Sequence, residues 1–434
     1  MSGIKTFVSR GSAPIQLATL VRALALLAVL AALTTVSHAQ GNFTVLHNFT
    51  YSGTGGANPE SAPTLDRHGN LYGTTVSGGT GNCIDGCGTV YELRQVNGSW
   101  IFDLLYGFSG ESDGGNPHAG VTIGPNGTLY GAASDQFADD GHGVVFNVEP
   151  PANVCHAVLC PWTDTTLYSF PGGYAGANPQ GNVVFDSQGN LYGTTLYGGT
   201  GGCLAGCGTV YKGTLSGGMW TISTIHNFTG NPDDGALPFS GVVVDSAGNL
   251  YGTTQYGGTY GFGTVYELSP SGEGWTETLL YSFTGYGGRE HSCLLNAGLV
   301  FDQAGNLYGA TLTDGECGPP IVFELSPQGG GWNFTTIYTL PDPYGPEDAL
   351  AIDSAGNLYG TTVYGGSFDY GTVFELSPSS GGGWTYTNLF LFSNGIDGGN
   401  PNGVVVTGPG GYLYGTTSTG GGAGVVFQIN LGAH

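Results

Sequence analysis

Positively charged residues are scarce in this chain of 434 residues, which has 7 Lys and Arg residues against 31 Asp and Glu residues. Three of the seven, Lys5, Arg10 and Arg22, lie near the N-terminus, so the rest of the chain carries a charge of 4 − 31 = −27. Such a surface repels phosphate backbones, which excludes nucleic acid as a partner, and it adheres poorly to anionic lipid. Cations, neutral sugars and basic proteins remain as candidate ligands.

Long hydrophobic runs are also missing. The clearest one, residues 23–33, spans 11 residues, whereas a helix needs about 20 apolar residues to cross a bilayer. Basic residues precede this run and Ser37-His38-Ala39 follows it, which is the layout of a secretory signal peptide over residues 1–39. We expect residues 40–434 to be secreted or periplasmic, with no stable membrane insertion after cleavage. An uncleaved anchor is the alternative.

Signatures of common enzymes and of helices are absent as well. The sequence has no P-loop, no His-Glu-x-x-His motif and no Gly-x-Ser-x-Gly elbow, and after the leader no segment combines helical periodicity with caps. Glycine is abundant, with 83 residues, but it lacks the three-residue period of collagen. Tyr, Phe, Val and Thr are common between turn residues, so we predict an all-β protein of many short strands.

What the sequence does contain is one unit repeated along its length. Four apolar segments, here named strands A to D, recur in each unit, and residues 240–245, 249–255, 263–268 and 275–283 show them most clearly. A period in the observed range predicts an array of similar structural units. Strand B carries a Leu-Tyr-Gly triplet whose tyrosine recurs at intervals of 51 to 62 residues, as Tyr72, Tyr130, Tyr192, Tyr251, Tyr308, Tyr359 and Tyr414.

Strand D decides whether this array is open or closed. All 6 tryptophans begin a D strand, but the seventh unit has none after residues 424–430. A matching segment, residues 42–49, stands at the N-terminus instead, and a strand that completes the last sheet is how a ring of blades closes. We therefore predict one seven-bladed β-propeller over residues 40–434, with blades at about residues 62–108, 119–170, 181–228, 240–283, 297–340, 348–392, and 402–430 plus 42–49.

The unit Gly-Asn-Leu-Tyr-Gly-Thr-Thr, followed by Tyr-Gly-Gly and Gly-Thr-Val-Tyr-Glu-Leu-Ser-Pro, resembles the Gloeobacter/Verrucomicrobia-type tandem repeat, or GloVer repeat, of exported bacterial proteins. The best copies are residues 248–270 and 356–378, and the likeness spans essentially all of the chain after the leader. The resemblance implies export and a repeat fold, but no reaction and no catalytic residues. The turn Asp-x-x-Gly-Asn-Leu-Tyr is also similar to the blades of NHL-repeat and gluconolactonase-like propellers.

One face of the predicted propeller collects the loops between strands D and A and between strands B and C. The D–A loops repeat an Asn-Pro theme and the B–C loops repeat Tyr-Gly-Gly, and tyrosine rings with amides suit neutral sugars. This candidate binding face would take a glycan or a cell-surface protein and would belong to a monomer. The alternative is that these residues only shape turns. The side chains concerned are Asn116, Asn178, Asn400, Tyr197, Tyr256 and Tyr364.

The B–C loop of the second unit departs from the repeat and collects oxygen and imidazole ligands. It holds Asp135, Asp139, Asp140 and His142 within eight residues. This set predicts a site for Ca²⁺ or another divalent cation. The alternative is an acidic loop that is exposed to solvent.

The fifth unit departs from the repeat close to the predicted channel. Its D–A loop carries the adjacent pair Glu290 and His291, which could supply acid–base catalysis. These two residues are the candidate catalytic groups of the sequence, although such a pair also arises by chance.

Eight cysteines in an exported chain suggest four disulfides. Cys83–Cys87 and Cys203–Cys207 would lie in B–C loops, Cys155–Cys160 in the C–D connection of blade two, and Cys293–Cys317 between two loops of blade five. A zinc site from the two Cys-x3-Cys loops would require blades one and three, which are not neighbours, to touch.

Three functions remain open after these observations. A non-catalytic binding propeller for a glycan or surface partner is favoured over an enzyme, because neither a motif nor the resembled family supplies a reaction. A hydrolase or lyase at the channel mouth, with or without a divalent metal, is the second hypothesis. A structural envelope protein without a small ligand is the third.

Overall fold

The computed structural model describes residues 43–51, 54–134, 142–151, 162–272, 274–284, 295–312, 319–342 and 344–432. Seven four-stranded antiparallel sheets account for nearly all of the regular structure in these residues. The prediction of an all-β, seven-bladed propeller is therefore confirmed. Within the described ranges, no helix has the length and hydrophobicity needed to cross a membrane.

The chain enters through β1 (Phe43–Asn48), which belongs to the last blade, and then builds three blades in order. Blade one has β2 (Thr64–Leu65), β3 (Leu71–Thr75), β4 (Thr89–Val96) and β5 (Ser99–Gly107). Blade two has β6 (Thr122–Ile123), β7 (Leu129–Ala133), β8 (Val144–Glu149) and β9 (Thr163–Ser169). A 3-10 turn, Gly173–Ala175, precedes blade three, which has β10 (Val184–Phe185), β11 (Leu191–Thr195), β12 (Thr209–Ser216) and β13 (Met219–Asn227).

Blades four and five follow, and blade four carries one small addition. A two-stranded ribbon of β14 (Gly235–Ala236) and β17 (Tyr256–Gly257) joins the D–A and B–C loops of blade four. Blade four itself has β15 (Val243–Val244), β16 (Leu250–Thr254), β18 (Thr264–Ser271) and β19 (Gly274–Ser282). Blade five has β20 (Val300–Phe301), β21 (Leu307–Ala310), β22 (Ile321–Gln328) and β23 (Gly331–Thr339).

The last two blades complete the ring. Blade six has β24 (Ala351–Ile352), β25 (Leu358–Thr362), β26 (Thr372–Pro378) and β27 (Trp384–Leu391). Blade seven has β28 (Val406–Gly408), β29 (Tyr412–Thr417) and β30 (Val425–Asn430). Strand β1 pairs antiparallel with β30, so the sheet order is β1-β30-β29-β28. The N-terminal strand is thus the D strand of the last blade, as the repeat count predicted.

Each Leu-Tyr-Gly triplet lies at the centre of a blade, where its three residues have different surroundings. In blade four, Leu250 is fully buried and the Tyr251 hydroxyl donates to Asp245 of the A–B turn at 3.2 Å. Gly252 lies under the ring of Tyr266, because a Cβ there would stand 2.4 Å from the Tyr266 Oη atom. Glycine is therefore required at this position by the ring of strand C. The same contact recurs in the other blades with Tyr91, Phe146, Tyr211, Phe323, Phe374 and Phe427.

The A–B turns are closed by their own aspartates. Asp245 Oδ1 accepts the backbone N–H groups of Ala247 and Asn249 at 2.8 and 2.9 Å, and its Oδ2 accepts the Asn249 amide at 2.9 Å. An aspartate that binds its own turn in this way stabilises the chain reversal. The pattern repeats at Asp66, Asp186, Asp302 and Asp353.

Neighbouring D strands contact each other through a repeated pair of stacked aromatic rings, here called the inter-blade ring pair. Residues are counted from the tryptophan position at the start of each D strand. The first ring stands six residues after it in one blade, and the second ring stands two residues after it in the next blade. Stacking of this kind adds to the energy of apolar burial. The pairs are Tyr281 with Phe334 at 3.8 Å, Tyr338 with Tyr386 at 5.4 Å, Phe390 with Phe43 at 3.9 Å, and His47 with Phe102 at 4.0 Å between ring centroids.

The D–A and B–C loops form one continuous belt on a single face. Within blade three, Ala177 and Tyr197 pair as an isolated bridge between these loops. Across the blade boundary, the N–H of Asn178 donates to the carbonyl of His142 in the preceding B–C loop at 2.7 Å. These backbone bonds within and between blades hold the face in a fixed shape.

Candidate binding site at the channel mouth

The seven blades meet around the propeller axis at a cavity of about 100 Å³ on the face of the D–A loops. Each blade contributes one residue a few positions before its A strand. This residue directly follows Asn-Pro in blades one, two, three and seven, Leu-Pro in blade four, Gly-Pro in blade six and Leu295 in blade five. We name this set the mouth ring. It consists of Glu60, His118, Gln180, Phe239, Asn296, Glu347 and Asn402.

The Asn-Pro theme places the mouth ring by fixing the loop before it. Asn116 has a φ of 51°, a left-handed conformation that asparagine tolerates better than most residues. Its amide donates to the carbonyl of Val76 in the preceding blade at 2.8 Å, and its side chain is only 3% exposed. Asn400 likewise has a φ of 52° and donates to the carbonyl of Val363 at 3.0 Å. These contacts give both amides a structural role, and ligand binding by them stays a prediction.

Asn178 connects the predicted binding face to the mouth ring. Its Oδ1 atom accepts a hydrogen bond from the Gln180 side-chain amide at 2.6 Å, so Asn178 orients a residue that lines the cavity. Asn296 is held in a similar way by Gln255, whose amide donates to the Asn296 Oδ1 atom at 2.6 Å. The neighbouring Asn182 keeps a buried Oδ1 atom without a hydrogen-bond partner among the described residues.

Carboxyl groups dominate the electrostatics of the cavity. Burial, followed by the charges of Glu60 and Asp348, raises the pKa of Glu347 to about 7. Burial also raises the pKa of Asp348, although its carboxylate accepts the backbone N–H groups of Ala349 and Val404. Glu60 is paired with His118, whose Nδ1 atom lies 2.7 Å from the Glu60 Oε2 atom. The mouth therefore offers carboxyl acceptors, amides and one imidazole in a confined space.

Exposed aromatic and aliphatic side chains surround this mouth. Among the described residues, 13 large hydrophobic side chains are strongly exposed, and 10 of them lie in D–A or B–C loops. An apolar surface concentrated on one face indicates a binding surface. Of the three predicted tyrosines, Tyr256 is 37% exposed, Tyr364 is 44% exposed, and Tyr197 is partly buried. The 10 residues are Tyr51, Ile84, Tyr174, Leu204, Tyr256, Tyr260, Tyr364, Phe368, Tyr370 and Ile396.

Other sequence predictions fall at or beyond the limits of the described residues. His142 is described, and its ring occupies the space beside Gly172, where a Cβ would stand 2.4 Å from the His142 Nε2 atom. Two predicted disulfides, Cys83–Cys87 and Cys203–Cys207, are confirmed. The remaining predicted groups lie outside the described residues: Asp135, Asp139, Asp140, Glu290, His291, Cys155, Cys160, Cys293 and Cys317.

Sequence reasoning missed a polar cluster between blades three and four. His226 on β13, Asp234 in the following D–A loop and Glu277 on β19 bring one ligand atom each within 4.8 Å of one another. Burial and the Asp234 carboxylate raise the pKa of Glu277 to about 9. Burial acts to raise the pKa of Asp234 too, but hydrogen bonds from His226 and Thr229 hold it below its usual range. The signal in the sequence was a glutamate at a position where four other blades carry an aromatic ring.

Comparisons with known proteins support the repeat and the fold. The sequence model of the family described as Gloeobacter/Verrucomicrobia repeat matches residues 31–163, 85–298 and 295–434. None of the curated protein sequences matches the chain. The extracellular domain of a candidate hybrid two-component system from B. thetaiotaomicron has a TM-score of 0.53 at 13% identity, over 89% of this chain and 39% of that one.

Two structures of named enzymes are also similar, at lower scores. Polysaccharide lyase Uly1 has a TM-score of 0.47 at 14% identity, over 92% of this chain and 94% of that one. A gluconolactonase from Xanthomonas campestris has a TM-score of 0.38 at 16% identity, over 70% of this chain and 82% of that one. At these identities, a shared fold does not transfer an activity.

Proposed function

The chain belongs to the Gloeobacter/Verrucomicrobia repeat family, and from this membership and the mouth ring we propose that it is an exported protein that binds a carbohydrate. The ligand would enter at the channel mouth and lie against the exposed aromatic loops around it. The two disulfides support an oxidising location, because such bonds persist mainly outside the cytoplasm.

Variation within the mouth ring is the observation that carries this proposal. The seven blades keep the same residue type at positions that serve the fold, such as the glycine of Leu-Tyr-Gly. At the mouth-ring position they differ, with two glutamates, one histidine, one glutamine, two asparagines and one phenylalanine. A position that only shaped the loop would not require five different residue types around one cavity. Function is commonly grafted onto a regular scaffold in this way.

The chemistry of the mouth fits hydroxyl groups. Carboxylates and amide oxygens accept hydrogen bonds from hydroxyls, amide N–H groups donate to them, and Phe239 offers an apolar surface. A cavity of about 100 Å³ is smaller than the pockets of roughly 300–1,000 Å³ that enclose drug-sized ligands. The cavity would therefore receive one end of a sugar, and the surrounding tyrosines would cover its rings. The negative charge of the chain favours neutral or amino sugars over acidic ones.

A polysaccharide panel tests the proposal. Untagged protein comprising residues 40–434 is applied to immobilised neutral, amino and acidic polysaccharides. We expect binding to a neutral or amino polysaccharide and none to the acidic ones. Phe239→Ala and Glu347→Gln should each weaken this binding by roughly tenfold, the usual scale for a central contact.

A matched control separates the mouth from the rest of the surface. Met219 is 74% exposed and Leu215 is 51% exposed, and both lie on strands away from the belt. Met219→Ala and Leu215→Ala should leave binding unchanged. If no polysaccharide binds, or if the control variants weaken binding as much as the mouth variants do, the proposal is wrong.

A hydrolase or lyase is the second candidate, and one observation favours it. The Glu60–His118 pair, at 2.7 Å, shares the cavity with Glu347, whose pKa of about 7 suits a general acid. Incubating the bound polysaccharide with the protein and measuring new reducing ends tests this candidate. Product formation that is lost in His118→Gln would support an enzyme, and an intact polysaccharide would support binding alone.

A further inference from the structure

We propose that His226, Asp234 and Glu277 form a binding site for a divalent transition-metal ion of the Zn²⁺ type, which joins blades three and four. This site lies between the D strands, apart from the channel mouth. One ligand comes from blade three, one from the loop between the blades, and one from blade four.

The distance from the imidazole to each carboxyl group fits a tetrahedral ion. His226 Nε2 lies 3.3 Å from Asp234 Oδ1 and 3.5 Å from Glu277 Oε2, and all three ligand atoms lie within 4.8 Å of one another. Zinc bonds to nitrogen and oxygen of about 2.0–2.1 Å give edges of about 3.3–3.4 Å between ligands in a tetrahedron. The imidazole therefore already lies near the distance from each carboxyl group that such an ion requires.

The cluster is enclosed, and its carboxyl groups have no Lys or Arg partner among the described residues. The side chains of His226, Asp234 and Glu277 are 18%, 10% and 12% exposed. The Glu277 Oε1 atom is buried and has no hydrogen-bond partner in the described ranges. A bound cation would stabilise both carboxylates in this enclosed position.

The other blades show what this position holds when no ion is needed. Glu277 and His226 occupy the two positions of the inter-blade ring pair, which hold stacked rings at four of the other six junctions. The second position holds Asp164 in blade two and Ile222 in blade three. The pair of His47 with Phe102, with an interplanar angle of 9°, shows that a histidine at the first position stacks well on a phenylalanine. Glutamate at the second position gives up that stacking, so packing does not explain its presence.

The junction between blades one and two provides an internal comparison. It also holds two carboxyl groups, the buried Asp113 and the partly buried Asp164, whose Oδ1 atom, like Glu277 Oε1, is buried without a partner among the described residues. Here, however, Tyr106 stands where His226 stands in blade three. The Tyr106 hydroxyl donates to Asp113 Oδ2 at 2.8 Å, which satisfies that carboxylate without an ion. The imidazole therefore distinguishes the proposed metal site from a similar acidic pair.

Neighbouring groups hold the Asp234 ligand in place. Its Oδ2 atom accepts the backbone N–H of Thr229 at 2.8 Å and the Thr229 hydroxyl at 2.7 Å. Its Oδ1 atom accepts the backbone N–H of Gly235 at 2.7 Å and lies 3.3 Å from His226 Nε2. Such outer contacts orient a metal ligand before the ion arrives. An imidazole with two carboxylates suits Zn²⁺, whereas Ca²⁺ requires six to eight oxygen ligands.

Calorimetric titration tests the proposal on untagged protein, residues 40–434, that has been treated with a chelator. We expect one Zn²⁺ ion per chain at this site, a higher Tm with Zn²⁺, and no comparable effect of Ca²⁺. His226→Tyr and Glu277→Phe install residues that other blades carry at the same positions, so both variants should fold and lose this binding. Asp164→Phe makes the same kind of change at the junction of blades one and two, and it should retain the binding.

Two further measurements keep the outcome decisive if a variant folds poorly. Co²⁺ added to the wild-type protein should give the intense visible absorption of a tetrahedral ion, and Zn²⁺ should displace it. Glu277→Gln keeps the shape of the side chain and should lose the Co²⁺ spectrum. The proposal is overturned if Zn²⁺ does not bind, or if binding survives in His226→Tyr and Glu277→Phe. Either result would leave hydrogen bonding between the histidine and the two carboxyl groups as the explanation of the cluster.

Discussion

Replacing Glu347 by glutamine removes one titrating carboxyl group from the channel mouth while keeping the size of the side chain. Asn402 donates to the Glu347 Oε2 atom at 3.3 Å, and the oxygen of a glutamine can accept the same hydrogen bond. Burial raises the pKa of Glu347 from 4.5 to about 7 in the folded protein. The folded state therefore binds this proton more tightly than the unfolded state does.

The sign of the effect follows from proton linkage. Below pH 4.5 both states carry the proton and Glu347 contributes no pH dependence. As the pH rises from 4.5 to about 7, the unfolded state is deprotonated first, so the free energy of unfolding falls. A pKa difference of this size corresponds to about 3 kcal/mol at pH 8. For roughly 390 residues, an unfolding entropy near 0.8 kcal/mol/K converts this to a Tm difference of about 4 °C.

Thermal unfolding between pH 4 and pH 8.5 measures this effect. We expect Glu347→Gln and wild type to have equal Tm values at pH 4, and the variant to be more stable by up to about 4 °C at pH 8. Glu149→Gln, on the exposed end of β8, is the control and should change neither value. If the two Tm curves stay parallel across the pH range, Glu347 does not titrate as the structure indicates.

Three further predictions concern the repeat and its cross-links. Gly252→Ala should lower the free energy of unfolding by about 1–3 kcal/mol because the new Cβ meets a buried ring. Gly107 has open space around it, so Gly107→Ala should leave the free energy of unfolding unchanged or raise it slightly. Denaturant titration measures both variants. Tyr211→Phe should leave the stability of the fold unchanged or raise it by about 1 kcal/mol, because the buried Tyr211 hydroxyl has no partner among the described residues. Tyr192→Phe removes a hydrogen bond and should lower the stability. Equal losses of stability in the two variants would contradict this reasoning. Peptide mapping without reductant should recover Cys293 linked to Cys317, and a free thiol at either would refute that pair.

The fold was predictable because each blade repeats the same physical problem. The Leu-Tyr-Gly glycine, the tryptophan of strand D and the Asp-x-x-Gly-Asn turn each meet one packing requirement, and they recur in seven, six and five blades. Closure by β1 could be predicted because the seventh D strand was missing at one end and present at the other. Repetition thus supplied the long-range pairing that a single sequence usually hides.

The site was predictable only to the level of its face. The Asn-Pro theme attracted attention because it repeats, yet repetition marks what all blades need, and Asn116 and Asn400 serve the loops. The mouth-ring residue varies among five residue types, so it has no motif, and only the structure brings its seven copies around one cavity. Glu277 escaped notice for a related reason, since its partner His226 lies in the preceding blade.

A crystal of residues 40–434 soaked with the best-binding oligosaccharide of the polysaccharide panel tests the central claim most directly. If a carbohydrate binds at the mouth ring, electron density for one end of the sugar lies inside the ring, in contact with Glu347 and Phe239. Density for further sugar rings then lies along the exposed tyrosines. Sugar density on the A–B face or along the outer D strands, with the mouth empty, would contradict the claim.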